Sequence, residues 1–332
     1  MSDNPDEIIS KENADIEEII DLGHKEFKNG QFKESAKKFR QVSSILQELA
    51  LRTSEGRKFS ERNTLNDLSG KEWLKRTKSW VVIDGRPSDI PKKIKNHPGS
   101  FPPALAGHFI EFFTKKDEWV LDPFMGIGST LEACLNLNRN CLGTELNPDY
   151  AEYAEKRIQG RNKDDLNLRV FNEDASDLEN LWKKLDIPQL DFVITSPPYF
   201  NILKKSRGGV ESAQKKRIKE GFDETYGTNP RDLGNIHKYE DYLKALSNIF
   251  KNIKKIMREK SYLCIIAQNF RPKDGIMRPL AWDIAYKLKE HFKLRQEFIW
   301  LQDQKQLGIW GYPTTYVSNV HHHYCLVFQN KE

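Results

Sequence analysis

From Glu118 to the C-terminus, the sequence alternates apolar segments of strand length with amphipathic segments of helix length. Repeated β-α units of this kind predict an α/β fold, in which helices cover both faces of a mostly parallel sheet. The predicted strands are EWVLDPF (118–124), NCLGTEL (140–146), LRVFNED (168–174), DFVITSPPY (191–199), SYLCIIAQN (261–269), LRQEFIWLQ (294–302) and HHHYCLVFQ (321–329). Ligands of such sheets bind outside the carboxyl ends of the strands, so the residues that follow each strand are the candidate site residues.

A glycine-containing loop follows the first of these strands and leads into a helix. Its residues are Asp122, Pro123, Phe124, Met125, Gly126, Ile127, Gly128, Ser129 and Thr130. The loop lacks the lysine of a P-loop, and Leu131 stands where a dinucleotide fingerprint has its third glycine. The remaining interpretation is a loop led by an acid, whose glycines let the backbone approach a cationic amino-acid cofactor such as S-adenosylmethionine.

Acidic residues also follow the next two strands. Glu145 stands where an acid binds ribose hydroxyls in nucleotide-binding folds. Asp174 ends the third strand, where it or a neighbour can accept a hydrogen bond from an adenine amino group. Each acid alone could be a helix N-cap. Their occurrence at successive strand ends, after the glycine loop, favours S-adenosylmethionine as the cofactor.

The fourth strand ends in a polar elbow within DFVITSPPYFN (191–201). Thr195 is followed there by Ser196, Pro197, Pro198 and Tyr199. Because proline fixes φ, the elbow presents a hydroxyl, backbone carbonyls and an aromatic ring in a rigid arrangement. Its place at a strand end puts it beside the predicted cofactor.

These motifs together resemble those of the amino-methyltransferases of DNA, which modify exocyclic nitrogens of bases. The family hallmark [DNS]-P-P-[YFW] is met by 196–199, and VLDPFMGIGST (120–130) and HPGSFPPALAGHFIEFFT (97–114) look like the family's own segments. The resemblance runs from about Leu65 to the C-terminus. It implies the Rossmann-like fold of S-adenosylmethionine-dependent methyltransferases, with a mostly parallel seven-stranded sheet whose last strand is antiparallel.

The resemblance also implies roles for individual residues. The predicted cofactor-binding residues are Asp122, Pro123, Phe124, Gly126, Gly128, Ser129, Thr130, Glu145, Asp174 and Thr195. The Ser196 hydroxyl and the Pro197 carbonyl would accept hydrogen bonds from an exocyclic amino group, which localises the nitrogen lone pair toward the methyl. Pro198 would help to fix this backbone, and Tyr199 would stack on a base that has left the duplex.

The residues around the elbow bear on the target base. Within the family, TSPPY is found mostly in enzymes that make N4-methylcytosine, whereas DPPY and NPPY go mainly with N6-methyladenine. We therefore predict a site-specific DNA methyltransferase that acts on cytosine N4, as in restriction–modification systems of a prokaryotic or phage setting. Four alternatives stay open, namely adenine N6 in DNA, a base in RNA, a protein amide, and a regulatory protein that binds S-adenosylmethionine without catalysis. The RNA alternative arises because the glycine loop precedes the PPY motif, as it does in RNA N-methyltransferases.

Two segments are candidates for contact with DNA. The segment 200–238 follows the elbow and is either a basic, target-contacting loop or a surface insertion. Its predicted phosphate-binding residues are Lys204, Lys205, Arg207, Lys215, Lys216 and Arg217. The second candidate is LGIWGYPTTYVSN (307–319), between the last two strands. Trp80 either lines the cofactor pocket or belongs to the core.

The N-terminal 55 residues are predicted to form a separate helical element. Apolar and small residues recur at helical spacing in LGHKEFKNGQFKESAKKFRQV (22–42), with a turn at Asn29-Gly30. This helical hairpin resembles one tetratricopeptide-like unit, and a single unit is not an array. It is either a cap or a module that binds a protein partner. We thus predict a hairpin over 1–55 and a methyltransferase domain over 56–332.

Composition limits the cellular location and the binding partners that we expect for the protein. The formal net charge of +5 is compatible with a polyanionic partner. No apolar run of about 18 residues and no secretion signal are visible, which predicts a cytoplasmic protein. The four cysteines lack zinc-ligand spacing, and the three histidines at 321–323 alternate between two faces of a strand, so we expect no metal and no membrane.

Overall fold

The computed structural model describes residues 5–52, 60, 62–83, 100–162, 166–185, 187–200, 231–271, 276–305, 307–309 and 312–331. The chain divides into two compact units, Met1–Lys58 and Phe59–Glu332. Among the helices in the described ranges, none has the length and apolar character needed to cross a membrane.

The first unit contains two helices, α1 (Pro5–Lys28) and α2 (Phe32–Arg52). Gly30 adopts a φ of 76° in the turn between them, a conformation that glycine reaches without strain. A Cβ at Gly23 would lie 3.2 Å from Cζ of Phe39, so the two helices approach closely at this glycine. The unit is a helical hairpin that turns at the predicted Asn29-Gly30 position.

The second unit contains one sheet. Its strands are β1 (Trp80–Val82), β2 (Trp119–Asp122), β3 (Asn140–Thr144), β4 (Leu168–Phe171), β5 (Leu190–Thr195), β6 (Met257–Ala267), β7 (Phe292–Leu301) and β8 (His322–Asn330). Their order across the sheet is β1-β7-β8-β6-β5-β2-β3-β4. Only β8 runs antiparallel to its neighbours, β6 and β7. The predicted Rossmann-like methyltransferase fold, with its antiparallel last strand, is confirmed.

The sheet has eight described strands, so the prediction of seven was wrong by one. The additional strand β1 pairs in parallel with the end of β7 and forms the edge of the sheet. A segment of three residues gains its strand conformation from a longer neighbour, and its own side-chain pattern is too short to reveal it. Trp80 lies in this edge strand, half exposed and far across the sheet from β2. The alternative of Trp80 as a core residue was therefore wrong, and its distance from β2 does not favour a place in the cofactor pocket.

Helices flank the strands in the predicted alternation. They are α3 (Gly70–Lys75), α4 (Pro103–Phe113), α5 (Ser129–Leu137), α6 (Pro148–Ile158), α7 (Leu178–Leu185), α8 (Tyr239–Lys254) and α9 (Leu280–Leu288), with 3-10 turns at Ala175–Asp177 and Leu233–Asn235. Asn147 caps α6 by accepting a hydrogen bond from the Asp149 amide, and Pro148 occupies the first turn. Such local signals explain why the helix starts were visible in the sequence.

The strand order positions the candidate site. From β2 the chain builds outward through β3 and β4 on one side, and from β5 through β6 on the other. The switch point therefore lies between β2 and β5, where ligands of such sheets bind. Both strands are buried along their whole length, so their last residues are held rigidly by the core.

Candidate active site

Asp122, the last residue of β2, connects three parts of the site. Its carboxylate accepts hydrogen bonds from the Thr130 hydroxyl at 2.6 Å and from the Thr195 hydroxyl at 2.6 Å. It also accepts one from the Phe124 amide at 3.1 Å. Burial raises the pKa of Asp122 to about 6, and these three hydrogen bonds oppose the rise. The side chain therefore joins the glycine loop (122–130) and the start of α5 to the end of β5.

The glycine loop needs glycine at position 128 for two reasons. Gly128 has a φ of 83°, in the left-handed region, and it precedes α5 as the N-cap. A Cβ at this position would lie 3.0 Å from the Cβ of Ala154 on α6, closer than side chains normally approach. Gly126 is also left-handed, with a φ of 54°. The backbone of the loop is therefore compressed against α6.

Three further residues of the loop are held by its neighbours. The Pro123 carbonyl accepts a hydrogen bond from the Thr144 hydroxyl at 2.9 Å, and the Met125 amide donates to the Thr144 carbonyl at 2.9 Å. Phe124 is partly buried and packs against the main hydrophobic core. The loop is thus fixed to the end of β3.

Glu145 follows β3 directly and connects the glycine loop to the end of that strand. Its carboxylate accepts hydrogen bonds from the Gly126 and Asn147 amides, both at 2.8 Å. Burial raises the pKa of Glu145 to about 7, and the nearby Asp122 and Asp232 charges act in the same direction. Each carboxylate oxygen keeps a second lone pair, so the side chain can still accept a hydrogen bond from a ligand hydroxyl.

Asp174 serves as the N-cap of the 3-10 turn that starts at Ala175. Its Oδ1 accepts a hydrogen bond from the Ser176 amide at 2.8 Å, and its Oδ2 lies 3.7 Å from Nε of Arg231. Asp174 is therefore an N-cap, which was one of its two predicted roles. The other role, a hydrogen bond to adenine, stays a prediction. The neighbouring Asn172 donates from its side-chain amide to the Glu145 carbonyl at 2.8 Å, which ties the ends of β3 and β4 together.

The elbow follows β5 directly and is tied to the buried interior. Tyr199 packs against the main core, and burial raises its pKa to about 12 while a hydrogen bond with the Ser196 side chain opposes the rise. The Tyr242 hydroxyl donates to the Pro198 carbonyl at 3.0 Å. Pro197, which lies between Ser196 and Pro198 in the sequence, is buried. The backbone of the elbow is therefore held from α8 as well as by its prolines.

A cluster of aromatic rings surrounds this contact. The Phe200 ring lies 5.3 Å from that of Tyr239 and 5.6 Å from that of Tyr242, and the Tyr239 ring lies 6.3 Å from that of Phe270. The Tyr239 hydroxyl donates to Asp283 at 2.6 Å. The cluster gives the elbow an apolar support of fixed shape, and the expectation that Tyr199 stacks on a base stays a prediction.

Two residues of the site were missed from the sequence. Tyr242 and Asp232 are both buried, and Asp232 accepts a hydrogen bond from the Gly234 amide at 2.8 Å while its charge reaches Glu145. Tyr242 lies on the apolar face of α8, at helical spacing from Leu246 and Ile249. This pattern predicts a core residue and gives no sign of a further role. Its hydroxyl could have been noticed, because a buried tyrosine oxygen normally finds a partner.

The predicted DNA contacts are only partly described. Outside the described residues lie Lys204, Lys205, Arg207, Lys215, Lys216 and Arg217. The second candidate segment, 307–319, lies between β7 and β8 as predicted, and its described side chains are mostly exposed. In the parts of the chain that the structure describes, no group of three or more histidine, cysteine, aspartate or glutamate side chains could hold a metal ion.

Sequence comparison gives matches to DNA methylases. The profile of a family described as "DNA methylase" matches residues 19–156. M.BglI, a Type II methyltransferase of Bacillus subtilis, is 30% identical over 128 residues, which are 37% of this chain and 35% of that protein. M.SmaI, a Type II methyltransferase of Serratia marcescens, is 42% identical over 69 residues, which are 20% and 24%. The chain spans less than half the length of these curated relatives, and the matches support the resemblance to DNA amino-methyltransferases.

Solved structures of low sequence identity also overlap with the chain. TrmN from Thermus thermophilus is 14% identical with a TM-score of 0.44, over 72% of this chain and 52% of that one. Magnesium protoporphyrin IX methyltransferase from Synechocystis PCC 6803, solved with bound SAM, is 12% identical with a TM-score of 0.36, over 65% and 71%. The fold itself is established by the strand order described above.

The residues of the site fit S-adenosylmethionine, the methyl donor of the matched family. The Ser129 hydroxyl is buried at the start of α5 and has no hydrogen-bond partner among the described residues. A helix start, whose first amides have no intrahelical partner, together with a spare hydroxyl suits a carboxylate, and the Glu145 carboxylate suits a pair of ribose hydroxyls. The donor set therefore matches an amino-acid nucleoside and contains no lysine for a phosphate.

Proposed function

We propose that the protein transfers a methyl group from S-adenosylmethionine to the exocyclic N4 amino group of cytosine in DNA, as a site-specific methyltransferase. The observation that carries this proposal is the 2.6 Å hydrogen bond between the Thr195 hydroxyl and the Asp122 carboxylate. Thr195 directly precedes the elbow, and Asp122 begins the glycine loop. The substrate elbow and the cofactor loop are therefore parts of one hydrogen-bonded structure.

Three features of the chain would hold the cofactor, which supplies a methyl group on a sulfonium centre. The start of α5 and the buried Ser129 hydroxyl would bind its carboxylate. Glu145 would accept hydrogen bonds from the ribose hydroxyls, and the segment around Asp174 would lie toward the adenine. Glycine at position 128 lets the loop lie directly against α6, which fixes the backbone that would contact the cofactor.

The elbow would activate the amino group of the base. The nitrogen is a poor nucleophile because its lone pair is delocalised into the ring. Hydrogen bonds to the Ser196 hydroxyl and the Pro197 carbonyl draw it toward tetrahedral geometry, so that the lone pair points at the methyl. A C–N bond forms as the C–S bond breaks and the sulfur becomes a neutral thioether, and the methylated nitrogen then loses one proton to solvent water. Catalysis of this kind is mainly positioning and electrostatics.

The Ser196–Tyr199 contact supports the role of Ser196 as an acceptor. A hydroxyl has one proton to donate and two lone pairs to accept with. When Ser196 directs its proton to the Tyr199 oxygen, both of its lone pairs remain free to accept hydrogen bonds from the amino group of the base. Tyr199 then has two functions, which are to orient the serine and to offer its ring to the flipped base.

The test identifies both the methylated base and the DNA sequence around it. The protein is expressed in cells that lack DNA methylation, and their DNA is digested to nucleosides and also read by methylation-sensitive sequencing. We expect N4-methylcytosine at one short sequence, and a Ser196→Ala variant should bind S-adenosylmethionine normally while its methylation falls by about a hundredfold or more. N6-methyladenine in its place would move the proposal to adenine, and the absence of both bases would overturn it.

A parallel experiment addresses RNA. Purified protein is incubated with tritiated S-adenosylmethionine and equal masses of unmethylated DNA or RNA, and the label in each is counted. We expect label in DNA only. Label in RNA alone would transfer the same chemistry to a different substrate, and cofactor binding without any label would support the regulatory alternative, in which the helical hairpin contacts a protein partner.

A further inference from the structure

The segment between β7 and β8, residues 302–321, is named here the β7–β8 loop. Its described part carries four large apolar side chains in contact with solvent. Their exposed fractions are 79% for Leu307, 85% for Ile309, 82% for Tyr312 and 90% for Tyr316. Several large apolar side chains that are this exposed within one short segment suggest a surface that binds another molecule.

The two arms of the β7–β8 loop are fastened together. The Gly308 amide donates to Oδ1 of Asn319 at 2.8 Å, and the Asn319 side-chain amide donates to the Gly308 carbonyl at 2.9 Å. At the base, the Gln302 amide donates to the His321 carbonyl at 2.8 Å. These contacts hold the described parts of the two arms together, so the exposed side chains of these parts do not belong to a loose chain end.

The β7–β8 loop leaves the sheet at the same end as the elbow, where the carboxyl ends of the parallel strands lie. β6 and β7 are both antiparallel to β8, and β6 is parallel to β5, so the carboxyl ends of β7 and β5 lie at the same end of the sheet. The Gln268 side chain, just after β6, donates to the His322 carbonyl at 2.8 Å and ties the returning arm of the loop to this end. Three strand spacings separate β5 from β7, about 14 Å, which is close to the width of the DNA major groove, about 12 Å.

We propose that the β7–β8 loop enters duplex DNA beside the target base pair, where its apolar side chains stack on the bases next to the position that the target base vacates. This inference rests on the proposed function. Extrusion of a base from a duplex costs a few kcal/mol of stacking and pairing. Apolar side chains inserted at an opened base step offset that cost. The loop therefore acts on the duplex while the elbow acts on the extruded base.

The charge of the loop agrees with contact to bases and not to phosphates. Its charged residues are Asp303 and Lys305, of opposite sign, and both stand near the β7 end of the loop, away from Tyr312 and Tyr316. A contact without net charge releases no counterions from DNA. Variants of the exposed side chains are thus expected to lower activity on duplex DNA without changing how affinity depends on salt.

The experiment compares Ile309→Ser and Tyr316→Ser with Leu294→Ser in the full-length protein. Leu294 is a matched control because it is a large apolar residue, 42% exposed, at the amino end of β7 and so at the opposite end of the sheet. Substrates are two synthetic duplexes that contain the sequence found by methylation-sensitive sequencing. In one the target base is paired, and in the other it faces a mismatch, which makes extrusion easier.

We expect Ile309→Ser and Tyr316→Ser to lower kcat/KM about tenfold on the paired duplex and less than about threefold on the mismatched one. The slope of log affinity against log salt should stay at the wild-type value, and Leu294→Ser should match the wild type throughout. Full activity of the loop variants, or an equal loss on both duplexes, would overturn the inference. So would a dimer in solution that these variants dissociate, because the loop would then bind a second copy.

Failure of the proposed function would look different. A wild-type protein that labels no DNA removes the premise, and the inference about the loop is rejected with it. A wild-type protein that labels DNA normally, together with loop variants that do the same, rejects the loop alone. Binding of S-adenosylmethionine, measured by calorimetry, should be equal in all four proteins and confirms that each is folded.

Discussion

The Tyr242 hydroxyl donates a hydrogen bond to the Pro198 carbonyl at 3.0 Å, across the interface between α8 and the elbow. Tyr242 is completely buried, so its ring is positioned by the core and not by solvent. The pyrrolidine ring fixes φ of Pro198, and this hydrogen bond restrains the rotation of its carbonyl. The peptide between Pro198 and Tyr199 is thus held from both sides, and Tyr242 is a positioning residue for the elbow.

Replacement of Tyr242 by phenylalanine tests this relationship. Tyr242→Phe removes the donor and leaves the partly buried Pro198 carbonyl without it, so we expect the free energy of unfolding to fall by about 1–3 kcal/mol. Because we propose that the elbow holds the methyl acceptor, kcat should fall about tenfold or more, while KM for S-adenosylmethionine stays constant. Urea denaturation and steady-state methylation kinetics measure the two effects.

Tyr239→Phe is the control for this variant. Tyr239 lies on the same helix and also donates one hydrogen bond from its hydroxyl, but to Asp283 at 2.6 Å and not to the elbow. It should lose stability with little change in kcat. Equal losses of kcat in the two variants would show that Tyr242 acts only through general stability.

A second prediction concerns the Ser129 hydroxyl. Because it is buried without a partner among the described residues, Ser129→Ala removes an unsatisfied polar group, and the free energy of unfolding should stay constant or rise. The affinity for S-adenosylmethionine should fall about tenfold, since a hydrogen bond to a charged group is worth about 1.5–3 kcal/mol. Isothermal calorimetry and thermal unfolding of the same samples measure both quantities.

The neighbouring Thr130 offers a matched control, because its buried hydroxyl has a hydrogen-bond partner within the protein. Thr130→Val removes a hydrogen bond to the buried Asp122 carboxylate, so this variant should be clearly destabilised. If Ser129→Ala lost stability as Thr130→Val does, the Ser129 hydroxyl would have a structural partner and not a ligand.

A third prediction separates backbone strain from contact at Gly128. Gly128→Ala places a Cβ both at a φ of 83° and 3.0 Å from the Cβ of Ala154, whereas Gly160→Ala introduces a similar φ strain, at 75°, with no atom within 4 Å. Strain alone costs about 1–2 kcal/mol. We expect a larger loss of stability for Gly128→Ala, partly restored by Ala154→Gly in the double variant. Equal losses at both glycines would contradict the close approach of the loop to α6.

The sequence was sufficient for the features that depend on local pattern. Alternating strands and helices predicted the sheet, and motif order at the strand ends predicted that Asp122, Glu145 and Ser196 lie along one edge, which the strand order supports. The elbow and the glycine loop were visible because proline and glycine restrict or free the backbone in ways that few other residues do.

Other features depend on partners that lie far apart in the chain. The strand β1 forms only because β7 offers it a parallel edge, and Asp174 lies near Arg231 in a way that spacing cannot show. Tyr242 has the same helical pattern as its core neighbours, and only the folded chain places its hydroxyl at the Pro198 carbonyl. Residues that act through one long-range hydrogen bond leave no periodic signal.

The last prediction concerns pH and the Glu145 carboxyl. Its pKa is about 7 in the folded protein and near the model-peptide value of 4.5 in the unfolded chain. The folded state therefore binds the proton more tightly, so the ionised carboxylate destabilises the fold, and stability falls as pH rises from about 4.5 to about 7. Asp122 changes in the same direction, but over a lower range that ends near its pKa of about 6. Measurements between pH 6 and 8 therefore report mainly Glu145.

Over this range, the free energy of unfolding of the wild type should fall by about 1 kcal/mol relative to that of Glu145→Gln, which has no carboxyl to ionise. Cofactor affinity should change in the opposite direction. The ionised carboxylate is the form that accepts hydrogen bonds from ribose hydroxyls, so the wild type should bind S-adenosylmethionine up to about tenfold more tightly at pH 8 than at pH 6. Glu145→Gln should bind weakly and equally at both values. A wild-type affinity that is constant with pH, measured by calorimetry in buffers of equal ionic strength, would remove Glu145 from the cofactor site.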